Sequence, residues 1–290
     1  AKKKNKMAGF SNFLNNPVDF TLVITVLLLL SLGLVMVLSA SSPSALSETG
    51  NSYSFFSKQL IFAILGIIAM LFISKVDYRF YKKFYKHAWW IALLLLALVL
   101  VAGKTINGAK RWIYLTESLS VQPSEFVKLL MIIFYAGILV KNRDELSKYG
   151  KGFIKHIILL APIIGLLLLE PHFSASIVII SICSVMMIMA GCKFWHFIAT
   201  GGVVGLPAMI FLIIKEPYRL QRVVTFLDPW KDATGNGWQV IQSLYAIGSG
   251  GLFGTGLGDS KQKYLYLSEP HNDFIFAVLA EELGFVGCVL

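Results

Sequence analysis

The stretch F-T-L-V-I-T-V-L-L-L-L-S-L-G-L-V-M-V-L-S-A, Phe20 to Ala40, contains no charged residue. A helix rises 1.5 Å per residue, so about 20 such residues cross the roughly 30 Å hydrocarbon core of a bilayer. The preceding A-K-K-K-N-K has the charge of a signal-peptide n-region. The apolar core is too long for a secretory h-region and no clear small-residue cleavage site follows, so the segment reads as a signal anchor. Comparable runs lie near 56–74, 87–103, 124–140, 154–170, 173–191, 196–214 and 274–290. That makes about seven spans and the start of an eighth, the pattern of an all-α, polytopic helical membrane protein.

Composition agrees. Of 290 residues, 56% are hydrophobic and 14% charged, with a mean hydropathy of +0.70; soluble domains carry about 25% charged residues. The net charge of +10 would suggest nucleic acid in a soluble protein. Here the basic residues fall where cytoplasmic loops are expected, so no nucleic-acid partner is implied. Three cysteines (Cys183, Cys192, Cys288) show no paired spacing, and five scattered histidines form no metal-ligand motif.

The distribution of Lys and Arg sets the orientation. With the N-terminus cytoplasmic, the basic tail within residues 1–18, K-V-D-Y-R-F-Y-K-K-F-Y-K (75–86) and K-N-R-D-E-L-S-K-Y-G-K-G-F-I-K (141–155) lie inside and carry 4, 5 and 5 basic residues. The short loops opposite carry only Lys58, Lys104, Lys110 and Arg111. Segment 215–272 is then an outer loop between spans seven and eight, too long for its charges to count. No internal repeat or linker divides the chain, so residues 1–290 read as one membrane domain. The last apolar run ends at Leu290 without an interfacial anchor, and the expectation is a piece of a longer protein lacking its C-terminal spans.

Polar residues at membrane depth are costly and default to function. In Q-P-S-E-F-V-K (122–128), Pro123 starts a helix, and Glu125 and Lys128, three residues apart, share a face. They read either as a self-satisfying ion pair or as the wall of a cavity that offers Lys128 to an anion. Arg111 beside Trp112 is a candidate ligand contact or an interfacial anchor. In E-P-H-F-S-A-S (170–176), Pro171 forces a turn that leaves Glu170 and His172 at the outer surface, His172 more as a loop residue than a ligand.

The outer loop holds E-P-Y-R-L-Q-R-V-V-T-F-L (216–227), which predicts a short amphipathic helix with Arg219 and Arg222 one turn apart. Those guanidiniums suit a phosphate or lipid headgroups. D-P-W-K-D-A-T-G-N-G-W (228–238) is turn chemistry, followed by a second short helix. The glycine-rich S-G-G-L-F-G-T-G-L-G-D (249–259) matches no nucleotide fingerprint, so its glycines are expected to allow tight turns or approach to a ligand or helix. Then comes S-E-P-H-N-D-F-I-F-A-V-L-A-E-E-L-G (268–284). Asp273 stands at the mouth of an apolar run and Glu281–Glu282 two turns further in. Read as one helix, Glu281 falls about 12 Å deeper than Asp273 and some 80° around the axis, and Glu282 on the opposite face. Glu281 is expected to line the same cavity, and Glu282 to pair with a neighbouring helix, either one in the chain or one absent from it.

These motifs resemble the SEDS family (shape, elongation, division and sporulation) of peptidoglycan glycosyltransferases, which includes FtsW, RodA and SpoVE. They are G-A-K-R-W (108–112), Q-P-S-E-F-V-K-L (122–129), R-L-Q-R-V-V-T-F-L-D-P-W (219–230), the glycine run and S-K-Q-K-Y-L-Y-L-S-E-P-H-N-D-F-I-F-A-V-L-A-E-E-L-G (260–284). The resemblance runs from about residue 17 to the end, and 260–267 is most similar to the FtsW and SpoVE branch. It implies about ten spans, of which eight are present. It also implies polymerisation of lipid II (undecaprenyl-pyrophosphate-linked disaccharide) at the outer face of the bacterial cytoplasmic membrane, for division or sporulation, with a class B penicillin-binding protein as partner. Asp273 matches the family's proposed catalytic Asp, Glu125 and Lys128 its Glu–Lys pair, and Arg111 its R-W arginine. His172 stands where the family often has Asp, Asn272 where Thr is common and Ser268 where Pro is common.

The residues suit that chemistry. Joining two lipid-linked sugars needs a base at the attacking hydroxyl, and a partly desolvated Asp273 would serve. Departure of a lipid pyrophosphate needs cations, for which Lys128, Arg111, Arg219 and Arg222 are candidates, with His271 beside Asp273 in the substrate-binding set. A divalent cation could assist, though no metal-ligand spacing shows one. Direct displacement by one carboxylate inverts the anomeric centre. The competing reading is a flippase for the same lipid precursor, which needs charges reaching both faces; the inner halves of the spans hold few.

Overall fold

The computed structural model describes residues 19–106, 109–114, 120–215, 217–264 and 266–290. The basic tail, Gly108 of the G-A-K-R-W motif, Glu216 and Leu265 lie outside them. Helices α1 (Phe20–Thr49), α2 (Ser54–Ser74) and α3 (Tyr78–Ala102) lead to three short strands, β1 (Lys104–Ile106), β2 (Ala109–Tyr114) and β3 (Ser120–Val121). Then follow α4 (Pro123–Lys141), α5 (Lys155–Leu169, entered through a π-helical turn at Tyr149–Ile154), α6 (Phe173–Met189), α7 (Phe194–Thr200) and α8 (Leu206–Ile214). The last elements are α9 (Pro217–Leu227), α10 (Trp238–Gly250) and α11 (Ile275–Val289).

Among the described residues, six helical stretches are long and apolar enough to cross a membrane, α7 and α8 counting as one, Phe194–Ile214. Phe173–Met189 is apolar but shorter, and α11 has 15 residues. Every apolar run of the sequence is thus a helix. Local signals set the ends: Asp19 accepts the N–H groups of Thr21 and Leu22 to cap α1, and Asp77 caps α3 through Arg79. Capping at Asp77 starts α3 nine residues before the expected 87, so the basic run 78–86 is helical.

The chain divides into two compact units: the described part of Ala1–Val76 with Phe211–Leu290, and Asp77–Ile210. In the Asp77–Ile210 unit, α3, α4, α5 and α6 pack around a core including Leu96, Met131, Tyr135, Ile163 and Cys183. The Tyr135 hydroxyl donates to the His156 carbonyl. The sequence reading held no strands. The hairpin β1–β2 and the β2–β3 pairing, with Ile113 opposite Val121, are both antiparallel, and β3 ends just before α4.

In the other unit α1 packs on α2 and α11, with Met36, Ala40, Leu267 and Val278 buried together. No residue of α2 is buried; an apolar helix with no buried face is stable with lipid as its solvent. α10 packs against α11, which is not one continuous helix. At Gly284 the backbone leaves helical geometry (φ 68°, ψ −169°), and the glycine run takes up the groups this frees. Thr255 and Gly256 N–H donate to the Glu281 and Glu282 carbonyls, and Phe285 and Val286 N–H donate to the Gly251 and Leu252 carbonyls. A Cβ on Gly284 would lie 2.3 Å from the Gly254 nitrogen. The glycines therefore serve backbone approach to a helix.

Candidate functional site

In the unit holding Asp273, α9, the 228–238 turn, α10 and the entry to α11 enclose a cavity of about 630 Å³. Tyr218, Arg222, Asn236, Trp238, Gln239 and Asp273 are among its lining residues. The amphipathic α9 supplies Arg222, whose guanidinium lies over the Tyr218 ring at 4.5 Å; no salt bridge among the described residues engages it. Asp232 accepts the Asn236 backbone and side-chain N–H groups, which holds that carboxyl below its usual range and fixes the turn. Trp238 Nε1 donates to the Tyr266 carbonyl and the Gln239 amide to Ser268, tying α10 to the segment ahead of Asp273.

Asp273 sits in a turn just before α11, its backbone N–H donating to the Glu269 carbonyl. Its side chain is exposed, and among the described residues no hydrogen bond or ion pair reaches its carboxylate. The desolvation expected from the sequence is therefore not supplied by the surrounding fold. A carboxylate acceptor and a guanidinium donor share one polar cavity, the pairing needed to take a proton and hold an anionic group.

The other expected residues are placed differently. Arg219 donates to the Leu212 carbonyl at 3.0 Å and is not among the cavity's lining residues. His271 stacks on Phe55 of α2 at 4.5 Å and lies 3.7 Å from the Glu269 carboxylate; it too is outside the cavity lining. Glu281 does not line the Asp273 cavity as expected, because Asp273 precedes the helix and the Glu281 carboxylate is turned into the fold. It is 2% exposed and accepts the Ser260 hydroxyl at 2.6 Å and the Lys261 N–H at 3.0 Å. Glu282 does meet a neighbouring helix, and that helix is α1. Its carboxylate pairs with Lys263 at 2.9 Å and accepts the Ser39 hydroxyl of α1 at 2.6 Å.

The Asp77–Ile210 unit holds a second polar cluster. Strand β2 carries Arg111, whose guanidinium donates to the Pro171 carbonyl in the α5–α6 turn. Gln122 and Ser124, at the start of α4, lie 3.3–3.4 Å from the His172 ring nitrogens. Glu125 and Lys128 form an ion pair of 2.7 Å, with Glu125 exposed and Lys128 half-buried; Lys128 is therefore not free. Glu170 is buried, and burial raises its carboxyl to about 7 against the opposing pull of Arg111. Burial, then Arg111, lowers His172. Glu170 and His172 are thus held beside the expected residues; the strand pairing that brings Arg111 to them has no simple sequence signature. Among the described residues no three His, Cys, Asp or Glu side chains are grouped to hold a metal ion.

Residues 20–290 match the profile of the FtsW/RodA/SpoVE cell cycle proteins. The chain belongs to that family. It is 43% identical over 274 residues to stage V sporulation protein E of Bacillus subtilis, covering 94% of this chain and 74% of that one. It is 44% identical to a probable peptidoglycan glycosyltransferase FtsW of Coxiella burnetii, covering 94% and 73%. Among solved structures it resembles a chain described for the coordination of polymerization and crosslinking by a peptidoglycan synthase complex, with a TM-score of 0.71, 29% identity and 93% and 73% coverage. The rod shape determining protein RodA of Thermus thermophilus matches with a TM-score of 0.62 at 28% identity, covering 93% and 69%. Family and helices together make this a multi-pass membrane protein.

Proposed function

We propose that this chain is a peptidoglycan glycosyltransferase that polymerises lipid II, with Asp273 as its general base. The carrying observation is the cavity that Asp273 shares with Arg222, in a chain whose relatives are named as peptidoglycan glycosyltransferases. Asp273 takes the proton from a sugar hydroxyl as that oxygen attacks the anomeric carbon of a second lipid-linked sugar. The bond to the pyrophosphate breaks with inversion, and Arg222 offsets the charge of the departing lipid pyrophosphate. Because Asp273 is exposed in the protein alone, substrate closes the cavity and removes water from the carboxylate. Arg111, Glu125 and Lys128 serve substrate binding in the same reaction. Arg219, near Arg222 on α9, contacts lipid headgroups.

The cytoplasmic N-terminus that the basic segments imply puts α9, α10 and Asp273 on the outer face, where a lipid-linked glycan must be extended. The partner is a class B penicillin-binding protein, in keeping with the synthase complex among the structural relatives. Purified lipid II in detergent tests the reading. Chain growth there requires no transport, so polymer made by the parent and not by Asp273→Ala separates a polymerase from a flippase.

A further inference from the structure

The Asp77–Ile210 unit contains a cavity that the chemistry above does not use. At one end of the unit, the first turns of α3, the last residue of α4 and the first residue of α5 converge. Their side chains Lys86, Lys141 and Lys155 line a cavity of about 240 Å³ together with Asn142, Trp89 and Trp90. The walls are fixed. Trp89 Nε1 donates to the Leu159 carbonyl at 2.9 Å, joining α3 to α5. Tyr85 lies against α4 at Gly137, where a Cβ would come within 2.4 Å of the ring, so only glycine lets that wall form. Three ammonium groups stand on this rim, and among the described residues no salt bridge engages any of them. All three lysines are exposed, so water and salt screen part of their repulsion, and an anion seated among them would offset the remainder.

The apolar surface beside the cavity indicates which anion. Trp90, Leu94, Leu98 and Val101 are exposed and recur at helical spacing, so they form one stripe running from the cavity along α3. From Trp90 to Val101 the rise is about 16 Å, close to half of the roughly 30 Å hydrocarbon core. We propose that this cavity binds the phosphodiester headgroup of an anionic phospholipid, with its acyl chains lying along the α3 stripe through one leaflet. Clustered lysines at this end match the usual cytoplasmic anchoring of membrane helices, which makes this the inner leaflet. Basic pockets between membrane helices on that side are suited to such headgroups. A soluble phosphate would use the rim and leave the stripe idle.

The test uses the full chain in nanodiscs of phosphatidylcholine with and without phosphatidylglycerol, with tryptophan emission quenched by brominated forms of either lipid. The parent should be quenched preferentially by brominated phosphatidylglycerol, and Trp90→Phe should reduce that preference. The triple variant Lys86→Gln/Lys141→Gln/Lys155→Gln should lower the apparent affinity for phosphatidylglycerol by about tenfold or more. The triple variant Lys83→Gln/Lys148→Gln/Lys151→Gln, which removes as much charge from residues outside the cavity lining, should leave it near the parent. Equal quenching of the parent by both lipids would overturn the proposal. So would equal losses in the two triple variants, which would reduce the effect to net charge. Release of the lipid by millimolar inorganic phosphate would also overturn it, by making this a soluble-anion site. Quenching of the parent is measured independently of any variant's folding.

Discussion

Breaking the Lys263–Glu282 pair should detach the segment ahead of Asp273 from the helix behind it. The two charges are 2.9 Å apart, with side chains 4% and 0% exposed. At that separation and an effective dielectric constant near 20, their attraction is about 6 kcal/mol, set against the cost of desolvating both ions. In Glu282→Gln the Lys263 ammonium loses its counter-charge and keeps only neutral acceptors: the Ser39 hydroxyl at 3.0 Å, the Gly258 carbonyl at 2.6 Å and the new amide oxygen. Removing one partner of such a pair costs about 3–5 kcal/mol, because the other charge stays buried. Thermal unfolding in detergent should therefore show a midpoint lowered by on the order of 10 °C, with faster proteolysis between residues 255 and 270. Lys263→Met should lose as much. The double variant Lys263→Met/Glu282→Leu removes both charges and should recover most of the loss. Single variants as stable as the parent, or a double variant whose loss is the sum of the two, would refute the reasoning.

Replacing Arg222 with Gln removes the one guanidinium among the described residues that line the Asp273 cavity. Lipid II polymerisation should fall about 10- to 100-fold, in line with the roughly 1.5–3 kcal/mol of a charged hydrogen bond, while the melting temperature stays put; an unchanged rate would remove Arg222 from the site. Glu170 gives a pH dependence with a definite sign. Its carboxyl is raised in the fold from 4.5 to about 7, so the folded state binds the extra proton and stability should fall as pH rises from about 4.5 to 7. Glu170→Gln should remove that slope in melting curves. His172, whose lowered value works the opposite way, should then leave a mild loss of stability below its ordinary value of 6.5.

Much of the fold is written in the apolar runs, since lipid admits few backbone arrangements: each of the eight became a helix, and α9 and α10 fall where amphipathicity and turn chemistry put them. The strands were missed because Arg111 and its neighbours pair over short distances with no alternating pattern long enough to read. The break at Gly284 was missed for a related reason. Continuous hydrophobicity from Phe274 hides a change of backbone that becomes stable only because the glycine run, 30 residues earlier, arrives to satisfy it. Periodicity then misplaced Glu281, since helical spacing from Asp273 assumes a helix that begins only at Ile275. Composition identified the costly acids correctly; only tertiary structure shows that Ser260 and Lys261 meet the Glu281 carboxylate and that Lys263 and Ser39 meet one oxygen of Glu282.

The central claim is that Asp273 takes the proton from the attacking sugar. Among the described residues no hydrogen bond or ion pair reaches its exposed carboxylate, so Asp273→Ala should purify, melt and bind lipid II like the parent. Incubated with lipid II alone, the parent should extend glycan strands and the variant should leave the substrate unreacted. Glycan polymer formed by a well-folded Asp273→Ala protein at the parent's rate would contradict the account.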